Sequence, residues 1–204
     1  MRLPGTNIII TPDDMIGPED HQHVMQQISD KGLFRPTSAQ IIYLLDASFQ
    51  NKDDPLCKDI IDKLRNKYLW TATEHTSESN EGIFVYDNIF GIDLSIDQLM
   101  QKFDSKDEQV RFTPYGFKTK NQSINEFINN PYVINHFGEK AMPSVERVVK
   151  HIGSEPYASA LLESEKSERR YCELLLDKIT KGFALHGAGK GTGKDGYAFG
   201  IKNS

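Results

Sequence analysis

The eleven residues from His186 to Gly196 hold the densest set of groups able to do chemistry in this chain: five glycines, two lysines, a histidine and a threonine. Glycine leaves backbone N–H groups uncovered, and successive uncovered N–H groups form a concavity that wraps a phosphate or carboxylate. Lys190 and Lys194 add positive charge to such a cradle, and His186 at its start offers an acid or a base. The candidate ligand-binding residues are therefore His186, Lys190, Gly191, Gly193 and Lys194.

The spacing rules out the standard phosphate motifs. A P-loop needs Gly six residues before its lysine and a hydroxyl directly after it, but around Lys194 those positions hold Ala188 and Asp195. Gly191 to Gly196 also fits G-x-G-x-x-G. A dinucleotide fold wants a helix after that motif, whereas the residues on both sides here, Phe183-Ala184-Leu185 and Tyr197-Ala198-Phe199, read as strands joined in a terminal hairpin. No cofactor is expected.

Other reactive side chains form no constellation in the sequence. His21 and His23, near Asp13, Asp14, Glu19 and Asp20, have metal-ligand chemistry, but acids are usual at a helix start and no metal site is assigned. His75, His136 and His151 have no nucleophile or carboxylate at a triad spacing, and G-x-S-x-G is absent. Arg169 and Arg170 have the geometry for phosphate but also suit a solvated helix face. Cys57 and Cys172 form no C-x-x-C pair and read as small buried thiols of a reducing compartment, so the cytoplasm is the expected location.

These groups must be positioned by a chain of 204 residues, 26% of them charged, which is enough for one packed core and too orderly for wholesale disorder. The apolar run Ile8-Ile9-Ile10 is far too short for a membrane span, and the longest apolar stretches elsewhere are also broken within a few residues. A net charge of −5 argues against a protein that coats nucleic acid by bulk charge. Residues 1–137 carry 13 basic against 20 acidic side chains, and residues 138–204 carry 11 against 9, so an anionic partner would meet the C-terminal third.

Periodicity supplies the elements. Residues 1–36 read as an arm or edge strand, and residues 37–204 as a single domain. Ile41, Ile42, Leu45 and Phe49 share a helical face after a Thr37 or Ser38 cap; Cys57, Ile60, Ile61 and Leu64 repeat the pattern behind Pro55. Leu69–Thr73 and Ile83–Tyr86 read as a hairpin around a long polar loop. Ser95-Ile96-Asp97-Gln98 and Ser123-Ile124-Asn125-Glu126 are capping boxes that open two short helices. Pro156 starts what reads as the longest helix, residues 155–180, apolar at both ends and polar in the middle. The expected fold is α+β, a mostly helical single domain with two β-hairpins or a small mixed sheet.

The expected function is binding or interaction, with a small anionic ligand or a protein as partner, because no complete catalytic set stands out. Two alternatives remain: an enzyme on a nucleotide or phosphorylated substrate with His186 as acid or base, and an assembly protein using helix 155–180.

Overall fold

The structure is a computed structural model and describes residues 8–9, 15–78, 81–160, 169–176 and 181–203. Its organising element is strand β3 (Tyr68–Glu78), eleven residues rich in β-branched and aromatic side chains. Along one edge β3 pairs antiparallel with β8 (Arg169–Leu176). Along the other, its first residues pair parallel with β10 (Gly196–Phe199), and its second half pairs antiparallel with β4 (Gly82–Asp87).

Around that hub a nine-stranded mixed sheet runs β2 (Met15–Glu19), β10, β3, β8, β9 (Phe183–Gly189), β7 (Tyr157–Ser159) and β6 (Lys120–Asn121). The branch through β4 continues to β5 (Val110–Pro114). A separate short ladder joins β1 (Ile8–Ile9) to β11 (Lys202–Asn203).

The two faces of this sheet are covered differently. One packs on α2 (Ser38–Gln50), α3 (Pro55–Asn66), α5 (Ile124–Ile128), α6 (Pro131–Phe137) and α7 (Met142–Ile152). Its core joins Ile41, Leu45, Ile60, Phe127, Val133, Val145 and Val149 of the helices to Leu69, Val85, Leu174, Phe183 and Leu185 of the strands. Each fully buried side chain of this kind stabilises the fold by roughly 1.5–3 kcal/mol. The other face carries α1 (His21–Asp30) over Trp70, Ile16 and Ala198, and α4 (Ile96–Asp104) over Phe84, Tyr86 and Val110. Strand alternation divides the residues: along β4, Ile83 and Val85 enter the first core and Phe84 and Tyr86 the second.

Three expectations are corrected. The chain is not mostly helical with two hairpins or a small sheet, since the large sheet is its spine. Residues 155–180 are not one long helix: β7 and β8 lie within that range, and residues 161–168 and 177–180 fall outside the described residues. Helix propensity in Tyr171-Cys172-Glu173-Leu174-Leu175-Leu176 yields to pairing with a strand on each side. The assembly role that rested on this helix loses its basis. Finally, β9 and β10 form no hairpin, because β8 and β3 lie between them, and the Gly/Lys segment crosses their ends.

The helix signals hold. Thr37 caps α2, Asp54 caps α3 ahead of Pro55, and both capping boxes are present at Ser95 and Ser123. The hairpin of β3 and β4 is also there, but its polar stretch Glu74–Glu78 belongs to the strand, and its turn is short. Among the described residues no helix is long and apolar enough to cross a membrane.

Candidate functional site

The pairing of β3 with β8 slips between Trp70 and Glu74: Trp70 lies opposite Glu173 and Glu74 opposite Tyr171, so three residues of β3 span what one residue of β8 spans. This bulge frees backbone groups of Thr71–Thr73 from the ladder, and other parts of the chain take them up. The Ala72 N–H donates to the Pro36 carbonyl (2.6 Å), and the Asn88 N–H donates to the Ala72 carbonyl (2.7 Å). His21 Nε2–H donates to the Thr71 carbonyl (3.0 Å). One irregularity therefore fixes the start of α1, the chain after Arg35 and the loop that follows β4.

Those three segments enclose a cavity of about 380 Å³ over the sheet, lined by His21, Gln22, Gln26, Arg35, Glu74, Asn88, Asp93 and Tyr171 among others. Its floor is Glu74, only 2% exposed, whose carboxylate accepts from the Tyr86 hydroxyl and from Asn88 Nδ2, each at 2.9 Å. Asn88 also accepts the Ile92 N–H (2.7 Å) and so holds the loop closed. Arg35 lies flat on Gly91, where a Cβ would come 2.1 Å from Nη1, and its Nε–H donates to Ser29 (3.1 Å). Tyr171 and His21 form an aromatic wall with ring centroids 4.1 Å apart.

The Gly/Lys segment borders this wall. Gly191 has φ +72°, its carbonyl accepts the His21 N–H (2.9 Å), and a Cβ on it would lie 2.6 Å from the Tyr171 ring. Gly193 lies against the Tyr68 hydroxyl and Gly196 against the Trp70 indole, each leaving a Cβ only 2.0 Å from a side-chain atom. These glycines let backbone lie directly on aromatic rings, a reason for their presence that the sequence did not reveal. Lys190 and Lys194 are exposed at the surface. Asp195, the residue that breaks the P-loop pattern, pairs with Lys67 (3.2 Å).

His186 sits on β9 opposite Glu173, and its Nδ1–H donates to the Glu173 carboxylate. Glu173 is two residues from Tyr171, so the pair lies beside the aromatic wall. Of the sequence-expected residues, Gly191 packs on the Tyr171 ring and His186 pairs with Glu173, but none of the five lines the cavity itself. Arg35, Glu74, Asn88, Asp93 and Tyr171 do line it, and none carries a motif that would have singled it out.

His21 and His23 do not act as a pair. His21 turns inward to the bulge and is 3% exposed. Exposed His23 faces Asp20 (2.7 Å), and the His23 N–H donates to the same carboxylate that caps α1 (3.0 Å). That backbone bond, aided by the imidazole, holds the Asp20 pKa below the ordinary range.

The remaining histidines lie on the helix-covered face. Tyr132 donates to the Ser159 carbonyl (3.2 Å) and is 3.4 Å from His75 Nδ1, while His136 Nδ1–H donates to the Tyr132 carbonyl (3.1 Å). Neither Nε2 has a partner among the described residues. Burial, reinforced by neighbouring positive charge, holds His75 well below the usual histidine range, and burial lowers His136 to about 3. Both are neutral packing elements. Cys57 and Cys172 are buried and unpaired, and burial pushes the Cys172 thiol up to about 12.

The geometry defines a sheet-centred fold with a polar recess on one face. No family model matches the sequence, and no curated protein matches it. Similarity appears at the level of fold: a solved structure described by the words "Accommodation of massive sequence variation in Nanoarchaeota by the C-type lectin fold" aligns with a TM-score of 0.62. The alignment covers 93% of this chain and 96% of that one at 12% identity. At that identity the likeness bears on the fold alone, and it agrees with a sheet-built architecture in place of the mostly helical one.

Proposed function

We propose that this protein binds a small polar ligand in the recess between α1, the 88–94 loop and the sheet, with an anionic group of the ligand held by Lys190 and Lys194. The observation that carries the reading is the cavity of about 380 Å³ whose walls offer a carboxylate, a guanidinium, amides and an aromatic face together. Pre-formed concave sites with a few convergent polar groups are the usual seats of small ligands. The bulge supports the same reading, because it spends ladder hydrogen bonds on fixing the walls. The words attached to the structural neighbour, accommodation of sequence variation, also suit a frame whose opposite face carries the packing while this face is free to vary.

The anionic part rests on the two lysines, since ring packing accounts for Gly191 and Gly193. Calorimetric titration with nucleotides and phosphosugars, each beside its dephosphorylated counterpart, tests both parts. Tyr171→Ala should abolish binding of whichever compound the parent takes. Lys190→Ala with Lys194→Ala should weaken only the phosphorylated partner, about tenfold or more for each charge-assisted bond lost. Equal affinity of parent and Tyr171→Ala across the panel would sink the recess as the site.

A second reading has one observation in its favour. Glu173 fixes the tautomer of His186 by accepting from Nδ1, which leaves Nε2 as the nitrogen able to act as acid or base. A phosphorylated compound turned over by the parent and not by His186→Gln would make the protein an enzyme.

A further inference from the structure

The described residues expose five large apolar side chains, three of them grouped at the loop after β4. Phe90 is 64% and Ile92 58% exposed on the loop after β4, and Met100 and Phe103 are exposed on α4, whose Lys102 reaches that loop. The fifth, Phe34, meets the Phe90 ring edge-on at 6.4 Å. Between the loop and α4 lies a second cavity, about 150 Å³, lined by Phe90, Ile92, Leu94, Val110 and the stem of Lys102. It is large enough for one apolar side chain. Asn88 lines both cavities, so the loop is a ridge with a polar recess on one side and an apolar one on the other.

Scattered apolar side chains on a surface are ordinary; a gathered set beside a cavity marks an interaction surface. The charge around it selects the partner. Residues 87–108 contain six acidic residues and two lysines. Among the described residues Lys102 is taken up by Asp107 (2.7 Å) and Asp87 is answered by Arg111 (2.9 Å), and the exposed acids Asp97, Asp104 and Glu108 outnumber the exposed Lys106. A second copy docking by two-fold symmetry would set this acid against itself. An anionic membrane surface would be repelled in the same way.

We propose that the ridge formed by Phe90, Ile92 and Phe34 docks a basic amphipathic segment of a partner protein, an apolar side chain entering the cavity beside Leu94 and Lys or Arg side chains meeting the acidic rim. The mode is an amphipathic segment laid on an apolar groove, with charge setting orientation and partner choice. It is independent of the ligand recess, because Phe90 and Ile92 line the other cavity and none of the three lines the recess.

The probe is a labelled leucine/lysine amphipathic peptide of about 18 residues, roughly five helical turns, compared with its leucine/glutamate counterpart by fluorescence anisotropy. The lysine peptide should bind, the glutamate peptide should not, and binding should weaken as salt rises from about 50 to 300 mM. Phe90→Ser with Ile92→Ser, both at exposed positions, should weaken the lysine peptide at least tenfold while the melting temperature holds. Tyr171→Ala should leave it unchanged, which separates this surface from the recess. The proposal is overturned by equal binding of the two peptides, by no binding of either, or by a double variant that binds like the parent. A parent that sediments as a dimer and becomes monomeric in the double variant would assign the ridge to a second copy instead.

Discussion

The two faces of the sheet are built from the same strands, yet they differ in kind. The face under α2, α3, α5, α6 and α7 is a continuous apolar core, and even its histidines are packed as neutral side chains. The face under α1 and α4 is covered by two separate apolar clusters with a polar recess between them. Under the proposed function, stability and recognition lie on opposite sides of one strand: along β8, Cys172 and Leu174 enter the closed core while Tyr171 lines the open recess. A protein divided in this way can change residues on one face at little cost to the other.

Substitutions on β8 give the largest expected effect. Leu174→Ala should destabilise the protein by about 2–5 kcal/mol, because a buried aliphatic group is removed from a close-packed site. Tyr171→Ala, three residues earlier on the recess side, should cost about 1 kcal/mol and act on ligand binding instead. Urea unfolding of both variants measures the difference. Equal losses would show that the recess wall is as much a part of the core as the closed face.

The closed face should also announce itself in the pH dependence of stability. His75 and His136 are held neutral in the folded chain, His136 down to about 3, whereas in the unfolded chain both titrate near their ordinary value. Above that value neither state takes a proton and nothing is lost. Below it the unfolded chain binds protons that the folded chain refuses, so stability falls with pH until the folded pKa is reached. The slope should approach about 1.4 kcal/mol per pH unit for each histidine below pH ~6. Unfolding free energies of the parent and His136→Asn between about pH 7 and 4.5 test this. A variant whose slope matches the parent's would mean that His136 is not the buried neutral group described.

Sequence reading reached the closed face far better than the open one, for a physical reason. The helices of the closed face repeat apolar residues at helical spacing behind clear caps at Thr37, Asp54 and Ser123, all local signals. Helix α1 has the same signature in Val24, Met25 and Ile28 after Asp20, but the prolines and acids around it hid the pattern. Strand β8 reads as helix because its Glu and Leu residues favour one; only its two partner strands, each distant in sequence, decide otherwise. Glu74–Glu78 reads as loop because it is polar, yet it pairs with β4 throughout and with β8 as far as Thr76, and residues 74–77 are buried. The recess is still less legible. It is assembled from α1, Arg35, the bulge, the 88–94 loop and Tyr171, and what joins them is a register slip that no residue pattern reports.

The smallest expected effect bears on why the 190–196 segment is rich in glycine. If Gly193 is there to let backbone lie on the Tyr68 ring, Gly193→Ala must push the hydroxyl aside, since the new Cβ would stand 2.0 Å from Oη. That hydroxyl accepts the Asp195 N–H (3.0 Å), and its ring meets Trp70 edge-on at 4.8 Å. The bond is exposed and water replaces it, so the loss should be about 0.5–1 kcal/mol. If Gly193 is there to bare an N–H for an anion, Gly193→Ala should leave stability unchanged and weaken binding of a phosphorylated probe. A Tyr68→Phe background separates the two. Removing Oη relieves the 2.0 Å contact and leaves Cζ, at 2.9 Å, as the nearest atom of the ring, so a smaller clash remains and the loss from Gly193→Ala should shrink. Non-additivity of that size in a double-mutant cycle ties the glycine to the ring. Strict additivity, with phosphate-probe affinity falling in both backgrounds, would return it to the anion site.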